Sequence, residues 1–215
     1  GVSITEQYTV TQPDLLTITT DLEKNISCFD GNDGAIEVSI SGGTLSYTFN
    51  WTTTDGTGII QGNKDQNGLT AGTYNLELTD DNQCVTTKTF ILTEPQAIAI
   101  STVLKEDILC FGDATGAIEI VVTGGTPIEV SSGVFGYNYS WTGPDGFTSN
   151  DQNISNLFAG TYTIEITDDL NCVERAEIIL TEPIAIEIDY TKTDATCYGA
   201  TDGSIDVTVT GGRPP

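Results

Sequence analysis

The stretch 28–43, CFDGNDGAIEVSISGG, indicates the architecture, because closely similar stretches occur twice more in the chain. They are CFGDATGAIEIVVTGG at 110–125 and CYGATDGSIDVTVTGG at 197–212. The first two copies start 82 residues apart (28 to 110), and the last two start 87 residues apart (110 to 197). Self-similarity at a nearly fixed spacing is the signature of a repeat architecture, in which each copy is one structural unit. The sequence therefore predicts a tandem array with a period of about 82–88 residues.

Other segments recur in the same register and set the boundaries of the repeats. AGTYNLELTDDNQC at 71–84 returns as AGTYTIEITDDLNC at 159–172, and the endings TQP, TEP and TEP close on Pro13, Pro95 and Pro183. Proline lacks a backbone donor and holds the residue before it in an extended conformation, so each ending stops a strand. The predicted parts are the last strand of a preceding repeat (1–13), two complete repeats (14–95 and 96–183) and the first part of a further repeat (184–215).

Hydrophobic alternation identifies the repeats as antiparallel sandwiches. Ile36, Val38 and Ile40 alternate with polar residues, which places them on one face of a half-buried strand. An aromatic stripe of the same period, 47–51 and again 137–141, is predicted to fill the core rather than to bind sugar. The predicted fold class is all-β, with tandem Ig-like or fibronectin-like antiparallel β-sandwich repeats. Six strands are predicted in the first repeat, near 14–22, 34–41, 46–53, 58–62, 72–80 and 85–93.

Charge and composition exclude several classes of function. The chain has 215 residues, with 31 Asp and Glu against 7 Lys and Arg, a formal net charge of −24, and no His. Without an imidazole, Ser-His and Cys-His hydrolytic sites are excluded. The negative charge disfavours nucleic acid and anionic lipid as partners, and no apolar run is long enough for a membrane-spanning helix. The first residues lack the pattern of a signal peptide, so an export signal is expected outside this chain.

Two sets of pairs are considered for the five cysteines. Bonds Cys28–Cys84 and Cys110–Cys172 leave Cys197 alone, whereas bonds Cys84–Cys110 and Cys172–Cys197 leave Cys28 alone. In an up-and-down run of six strands, the loops that carry Cys28 and Cys84 lie at the same end of the sandwich. In an end-to-end array Cys84 and Cys110 would be on the order of 50 Å apart, and a disulfide requires Cα atoms within about 7 Å. This reasoning favours bonds within each repeat and an oxidising compartment; the alternative is free cysteines in a cytosolic protein.

Taken together, six short motifs resemble the SprB-type repeat: Cys-Phe-Gly-Asp, Gly-Gly-Thr, Tyr-x-Trp, Ala-Gly-Thr-Tyr, Thr-Asp-x-x-x-Cys and Thr-Glu-Pro. The resemblance covers the whole chain. That family builds very large surface adhesins of gliding Bacteroidetes. The resemblance implies a secreted cell-surface fibre, exported by the type IX system, that acts in surface adhesion and gliding motility. Neighbouring repeats are the implied partners, and other parts of the chain would contact the secretion and motility machinery.

The second repeat departs from the first by an insertion. Gly43 and Trp51 are 8 residues apart, whereas Gly125 and Trp141 are 16 apart, so eight residues are added around IEVSSGVFG. Variable loops on a repeated scaffold are where binding specificity usually resides. This loop is therefore the predicted contact for an extracellular surface or polysaccharide, against the alternative of a surface loop that merely tolerates change. The candidate contact residues are Ile128, Val130, Val134, Phe135 and Tyr137.

Acidic residues recur next to the cysteines and raise the question of calcium. If the loops of Cys28 and Cys84 met, carboxylates from both loops would converge, and calcium takes 6–8 oxygen ligands. The alternative is a set of Asx turns with a solvated acidic rim, since the acidic position shifts between copies. Calcium is the only cofactor considered. The candidate ligands are Asp30, Asp33, Asp80, Asp81, Asp113, Asp168 and Asp169.

Three classes of function follow. The first is a non-catalytic stalk or spacer of a giant adhesin, favoured by the repetition. The second is a carbohydrate- or surface-binding module that uses the inserted loop. The third is an enzyme with paired carboxylates, such as a glycosidase, which is disfavoured because two catalytic carboxyls need different environments and these acids mostly recur as exposed turn residues. No catalytic residue is predicted, and the terminal strands are candidates for pairing with a neighbouring sheet.

Overall fold

The computed structural model of the chain describes residues 1–213 and shows two compact units, Gly1–Ala97 and a second that begins at Ile98. Within the described residues the one helical element is a short 3-10 turn, Pro144–Gly146, and the regular structure is otherwise antiparallel strand. The predicted all-β class with tandem sandwiches is confirmed.

The first unit is a sandwich of two three-stranded sheets. One sheet has the order β1-β2-β4 and the other the order β3-β5-β6, with every pair antiparallel. Consecutive strands thus change sheet after β2, β3 and β4, so the chain does not run up and down through one sheet. The strands are β1 (Thr17–Lys24), β2 (Gly34–Ser41), β3 (Tyr47–Thr53), β4 (Gln66–Leu69), β5 (Gly72–Asp80) and β6 (Val85–Leu92).

The core of the first unit lies between these sheets and uses the alternation seen in the sequence. Ile36 and Val38 of β2 are fully buried and belong to one cluster with Trp51, Leu76 and Phe90 of the opposite sheet. The rings of Trp51 and Phe90 are 5.6 Å apart between centroids. The aromatic stripe therefore packs in the core, as predicted.

The second unit repeats the sandwich with one addition. Its sheets have the orders β13-β8-β7 and β12-β11-β14-β15, while β9 pairs only with β10. A further hairpin, β16-β17, follows in the same unit with its faces exposed. The strands are β7 (Ala99–Glu106), β8 (Gly116–Thr123), β9 (Ile128–Ser131), β10 (Val134–Gly136), β11 (Asn138–Thr142), β12 (Thr148–Ser149), β13 (Ile154–Leu157), β14 (Gly160–Thr167), β15 (Val173–Leu180), β16 (Glu187–Thr193) and β17 (Ser204–Thr210).

Two of the predicted strands do not form. The fourth predicted strand, 58–62, is irregular, and the strand that pairs with β2 is β4 instead. The side-chain amide of Gln61 replaces a strand there, because it accepts from the backbone N–H of Trp51 and donates to the Trp51 carbonyl. Residues 1–13, the counterpart of β6, also contain no strand. β6 pairs with β5 of its own repeat, whereas no segment of the described chain pairs with residues 1–13.

Each complete repeat has two ends, which we name by the path of the chain. The entry pole, where the chain enters β1, holds Gly43 and the turn between β5 and β6. The exit pole, where the chain leaves β6, holds the loop between β1 and β2. β1 and β6 lie side by side and run in the same direction. Lys88 donates to the carbonyl of Ile18 near the start of β1, and Thr93 N–H donates to Asn25 Oδ1 just after its end, so residue numbers rise together along the two strands.

Candidate functional site

The loop at the exit pole of the first repeat is closed by Asp33. Its carboxylate accepts from the backbone N–H of Ser27 at 2.9 Å, from the Ser27 hydroxyl at 2.6 Å and from the Lys24 ammonium at 2.8 Å. The hydrogen bond from Lys24, followed by those from Ser27, holds the pKa of Asp33 well below its usual range. Asp33 is thus an ionised acceptor that ties both ends of the loop together.

The equivalent position, five residues after the cysteine, shows what this side chain does. In the second repeat it is Thr115, whose hydroxyl accepts from Leu109 N–H at 2.9 Å. In the third copy it is Asp202, which accepts from the N–H and hydroxyl of Thr196, and these bonds lower its pKa. Either a hydroxyl or a carboxylate fills this role, so the position requires a hydrogen-bond acceptor.

The glutamate of the Thr-Glu-Pro ending joins this loop to the end of β6. Glu94 Oε2 accepts from the N–H of Asp30 at 2.7 Å, and Glu182 Oε2 accepts from the N–H of Gly112 at 2.7 Å. Ile26 N–H also donates to the Thr93 carbonyl at 2.9 Å. Two motifs that are 64 residues apart in the chain, the cysteine turn and the Thr-Glu-Pro ending, therefore form one exit pole. The recurrence of the glutamate in the sequence was the signal for this role, although the motif by itself indicates only a strand end.

The entry pole is organised by a buried aspartate. Asp80 is 2% exposed and accepts from the N–H groups of Thr44 (2.9 Å) and Cys84 (2.8 Å). The hydrogen bond from Cys84 is the largest cause of the lowered pKa of Asp80, and burial opposes it. Gly43 has a φ of +65°, and a Cβ there would lie 2.9 Å from Asp80 Oδ2. The Gly-Gly and Thr-Asp-Asp motifs are thus parts of one structure.

The second repeat has the same arrangement. Asp168 is also 2% exposed and accepts from the N–H groups of Thr126 (2.8 Å) and Cys172 (2.9 Å). A Cβ on Gly125 would lie 2.8 Å from Asp168 Oδ2. Each pole is therefore built by the same backbone contacts in both complete repeats.

The predicted disulfides Cys28–Cys84 and Cys110–Cys172 are wrong. Cys84, Cys110 and Cys197 are exposed free thiols within the described chain, whereas Cys28 and Cys172 are disulfide-bonded. Each predicted pair joins opposite poles, since the loop of Cys28 follows β1 at the exit pole and Cys84 precedes β6 at the entry pole. The eight residues of β6 separate them by about 25 Å, against a limit of about 7 Å between Cα atoms. An up-and-down path would place both loops at one end, but the chain changes sheet after β2, β3 and β4.

The same geometry separates the candidate calcium ligands. Carboxylates from two loops were expected to converge, but the loops belong to opposite poles. Among residues 1–213 no group of three or more His, Cys, Asp or Glu side chains is placed to hold a metal ion. The exit pole has Asp30, Asp33 and Asp113, and the entry pole has Asp80, Asp81, Asp168 and Asp169.

The inserted segment of the second repeat forms a hairpin, β9-β10, at the entry pole. Val130, Val134 and Phe135 expose 60%, 53% and 62% of their surface, and Ile128 is half-buried at the base. Tyr137 is not free for contact: its hydroxyl donates to the Gly124 carbonyl at 2.7 Å, and its ring packs against the core. Burial, followed by the charge of Asp168, raises its pKa. Tyr47 makes the equivalent bond to Gly42 in the first repeat, so this tyrosine is structural.

The comparisons with known proteins agree with the repeat pattern. The SprB repeat model matches residues 23–56, 102–146 and 190–215, which confirms the predicted resemblance in these three segments. No curated protein sequence matches the chain. No helix in the described residues is long and apolar enough to cross a membrane.

Similar solved structures include two proteins of several domains. One is the three N-terminal domains of the Highly Immunogenic Outer Capsid protein (Hoc) of bacteriophage RB49, with a TM-score of 0.43, 13% identity, and coverage of 93% of this chain and 70% of that one. The other is Dpr2 Ig1-Ig2, in complex with DIP-Theta Ig1-Ig3, with a TM-score of 0.27, 10% identity, and coverage of 81% and 74%.

Proposed function

We propose that this chain, with its three SprB repeat segments, is a non-catalytic stalk or spacer of a very large secreted cell-surface adhesin that acts in surface adhesion and gliding motility. Export by the type IX system and a position outside the cell belong to the same proposal. The observation that carries it is the recurrence of both poles: Asp80 and Asp168, like Glu94 and Glu182, hold the same backbone groups. The hydrogen bonds that recur between repeats are those that shape the two ends of each repeat, as expected for units that are joined in series.

The physical mechanism is resistance to load and to aggregation. Each repeat places its core between two sheets, so extension requires the antiparallel pairs to separate. The net charge of −24 gives the molecules mutual repulsion, which reaches about 8 Å at physiological salt and favours dispersed chains. Both properties suit a spacer that carries a distant binding part.

Single-molecule pulling of the chain, attached at Gly1 and at its C-terminus in a reducing buffer that keeps every cysteine as a thiol, tests the mechanical role. We expect one unfolding event for each complete repeat. The strands of the first span 17–92, so at about 3.5 Å per residue its extended length is roughly 270 Å, from which the folded length is subtracted. Extension without a force peak would contradict a load-bearing role. In whole cells, in-frame removal of one complete period from the adhesin should keep its attachment to surfaces.

The inserted hairpin favours a second function, binding to a polysaccharide or another extracellular surface. Val130, Val134 and Phe135 place apolar surface on a hairpin that no other strand covers within the described chain. Contact with neutral polysaccharide would use this surface without opposing the negative charge of the protein.

The first repeat supplies the matched control, because it connects Gly43 to Tyr47 through only three residues. Replacing residues 127–136 by the Leu-Ser of positions 45 and 46 should leave the second sandwich folded. Retention of the chain on agarose or cellulose, lost in this variant and in Phe135→Ser, would support a binding module. Equal retention of the parent chain and both variants on these matrices would contradict the binding function and favour the spacer function.

A further inference from the structure

The entry pole of the first repeat borders a groove that includes its turn cysteine, the cysteine between β5 and β6. One wall consists of Pro13–Leu16 and Gly43, and the other includes Asp80, Cys84 and Val85. Gly43 N–H donates to the Asp14 carbonyl at 2.8 Å, which joins the incoming chain to the Gly-Gly turn. The thiol of Cys84 is exposed there.

The same surface recurs within the second unit, where the third repeat begins. Pro183–Ile186 and Gly212 line a groove, and Gly212 N–H donates to the Ile184 carbonyl at 2.7 Å, as Gly43 does to Asp14. The backbone approaches are also alike: a Cβ on Gly42 would lie 2.0 Å from the Leu15 carbonyl oxygen, and a Cβ on Gly211 would lie 1.9 Å from that of Ala185. Residues 183–186 and 212 are thus the third repeat's counterparts of 13–16 and 43.

The opposite wall of this second groove is the exit pole of the preceding repeat. It consists of Leu109, Cys110 and Phe111, and the thiol of Cys110 is exposed. In the first repeat the surface 13–16 adjoins a turn cysteine, whereas here the equivalent surface adjoins an exit-pole cysteine. In a complete third repeat, both types of cysteine would border one groove.

We propose that Cys110 forms a disulfide bond with the turn cysteine of the repeat that begins at residue 184. The inference rests on the proposed array of consecutive repeats. Two thiols become one S–S bond with the loss of two protons and two electrons. The disulfide of a protein thiol oxidant accepts them by thiol–disulfide exchange and leaves as a dithiol. The bond carries load across the junction in parallel with the Thr-Glu-Pro linker.

The same register explains the free thiols. Cys84, a turn cysteine, requires the exit-pole cysteine of the repeat before it, and Cys197, an exit-pole cysteine, requires the turn cysteine of the repeat after its own. The partners of Cys84, Cys110 and Cys197 all fall outside residues 1–215, and these are the three cysteines that are free in the described chain.

The test is non-reducing peptide mapping of a chain in which the repeat that begins at residue 184 is complete, with the 215-residue chain as the control. In the longer chain we expect Cys110 to resist alkylation and to appear in one peptide pair with the turn cysteine about 70 residues after Pro183, by analogy with the interval from Pro13 to Cys84. In the 215-residue chain Cys110 should alkylate fully. The variant Cys110→Ser in the longer chain should release one thiol, that of the turn cysteine.

The outcomes separate this inference from the function on which it rests. A natural chain with no further repeat after Pro215 would overturn the proposed array. A complete third repeat whose turn cysteine is present, with Cys110 still alkylated as a thiol or linked to Cys172, would overturn the disulfide alone. Thermal melts of the Cys110→Ser variant confirm that the second sandwich is folded, so a released thiol reports the pairing and not unfolding.

Discussion

Replacing Leu76 by alanine should destabilise the first unit by about 3 kcal/mol. Leu76 is fully buried in the middle of β5, in the cluster that includes Ile36 and Trp51. Such truncations cost about 2–5 kcal/mol, because transfer free energy is lost and a cavity remains. A domain of this size has a free energy of unfolding of roughly 4–12 kcal/mol. The substitution therefore removes a quarter or more of the stability of this unit.

A thermal melt makes this change easy to detect. For a domain of 60–100 residues each 1 kcal/mol shifts the Tm by about 4–8 °C, so we expect a decrease of about 12–24 °C. Each unit contains one buried tryptophan, Trp51 in the first and Trp141 in the second, so intrinsic fluorescence reports the unfolding of both. The transition of the second unit should keep its Tm.

The control is Ile91→Ala on the neighbouring strand β6. Ile91 is 62% exposed, and surface substitutions of this kind change stability by less than about 0.5 kcal/mol. Equal shifts in Leu76→Ala and Ile91→Ala would refute the assignment of Leu76 to the core and, with it, the pairing register of β5.

Three further outcomes are expected. Because the pKa of Asp33 is lowered, its carboxylate stabilises the fold above the unfolded pKa of about 4, and this contribution is lost as the pH falls through the lowered value. The stability difference between the parent and Asp33→Thr, measured in urea, should therefore shrink from pH 7 to pH 2; a constant difference would contradict this role. Tyr137→Phe should cost about 0.5–1.5 kcal/mol through its lost bond to Gly124 and leave retention on polysaccharide unchanged, whereas lost retention would return Tyr137 to the contact surface. A chelator should leave both Tm values unchanged, since the pole carboxylates accept backbone N–H groups, and a decrease that calcium reverses would establish a metal site.

Much of the fold was predictable from local patterns. Ile36 and Val38 alternate with polar residues, and a period of two defines the buried face of a strand wherever the strand lies. That the added residues of the second repeat leave the shared scaffold was also predictable, because eight extra residues between Gly125 and Trp141 have no counterpart in the first repeat; the hairpin that they form was not. The fourth strand was not predictable, since nothing in its composition shows that Gln61 replaces a strand with its side chain.

The poles could not be predicted, and the candidate disulfide and calcium sites depended on them. Cys28 and Cys84 occur at loops that the sequence identifies correctly, but the sequence does not state which loops share an end. That depends on the path between the two sheets, and here β1 and β6 run in the same direction. Alternation and recurrence are encoded residue by residue along the chain, so the repeats, their cores and their turns follow from it. The meeting of loops from distant strands follows from how the sheets pack, and only the folded chain establishes it.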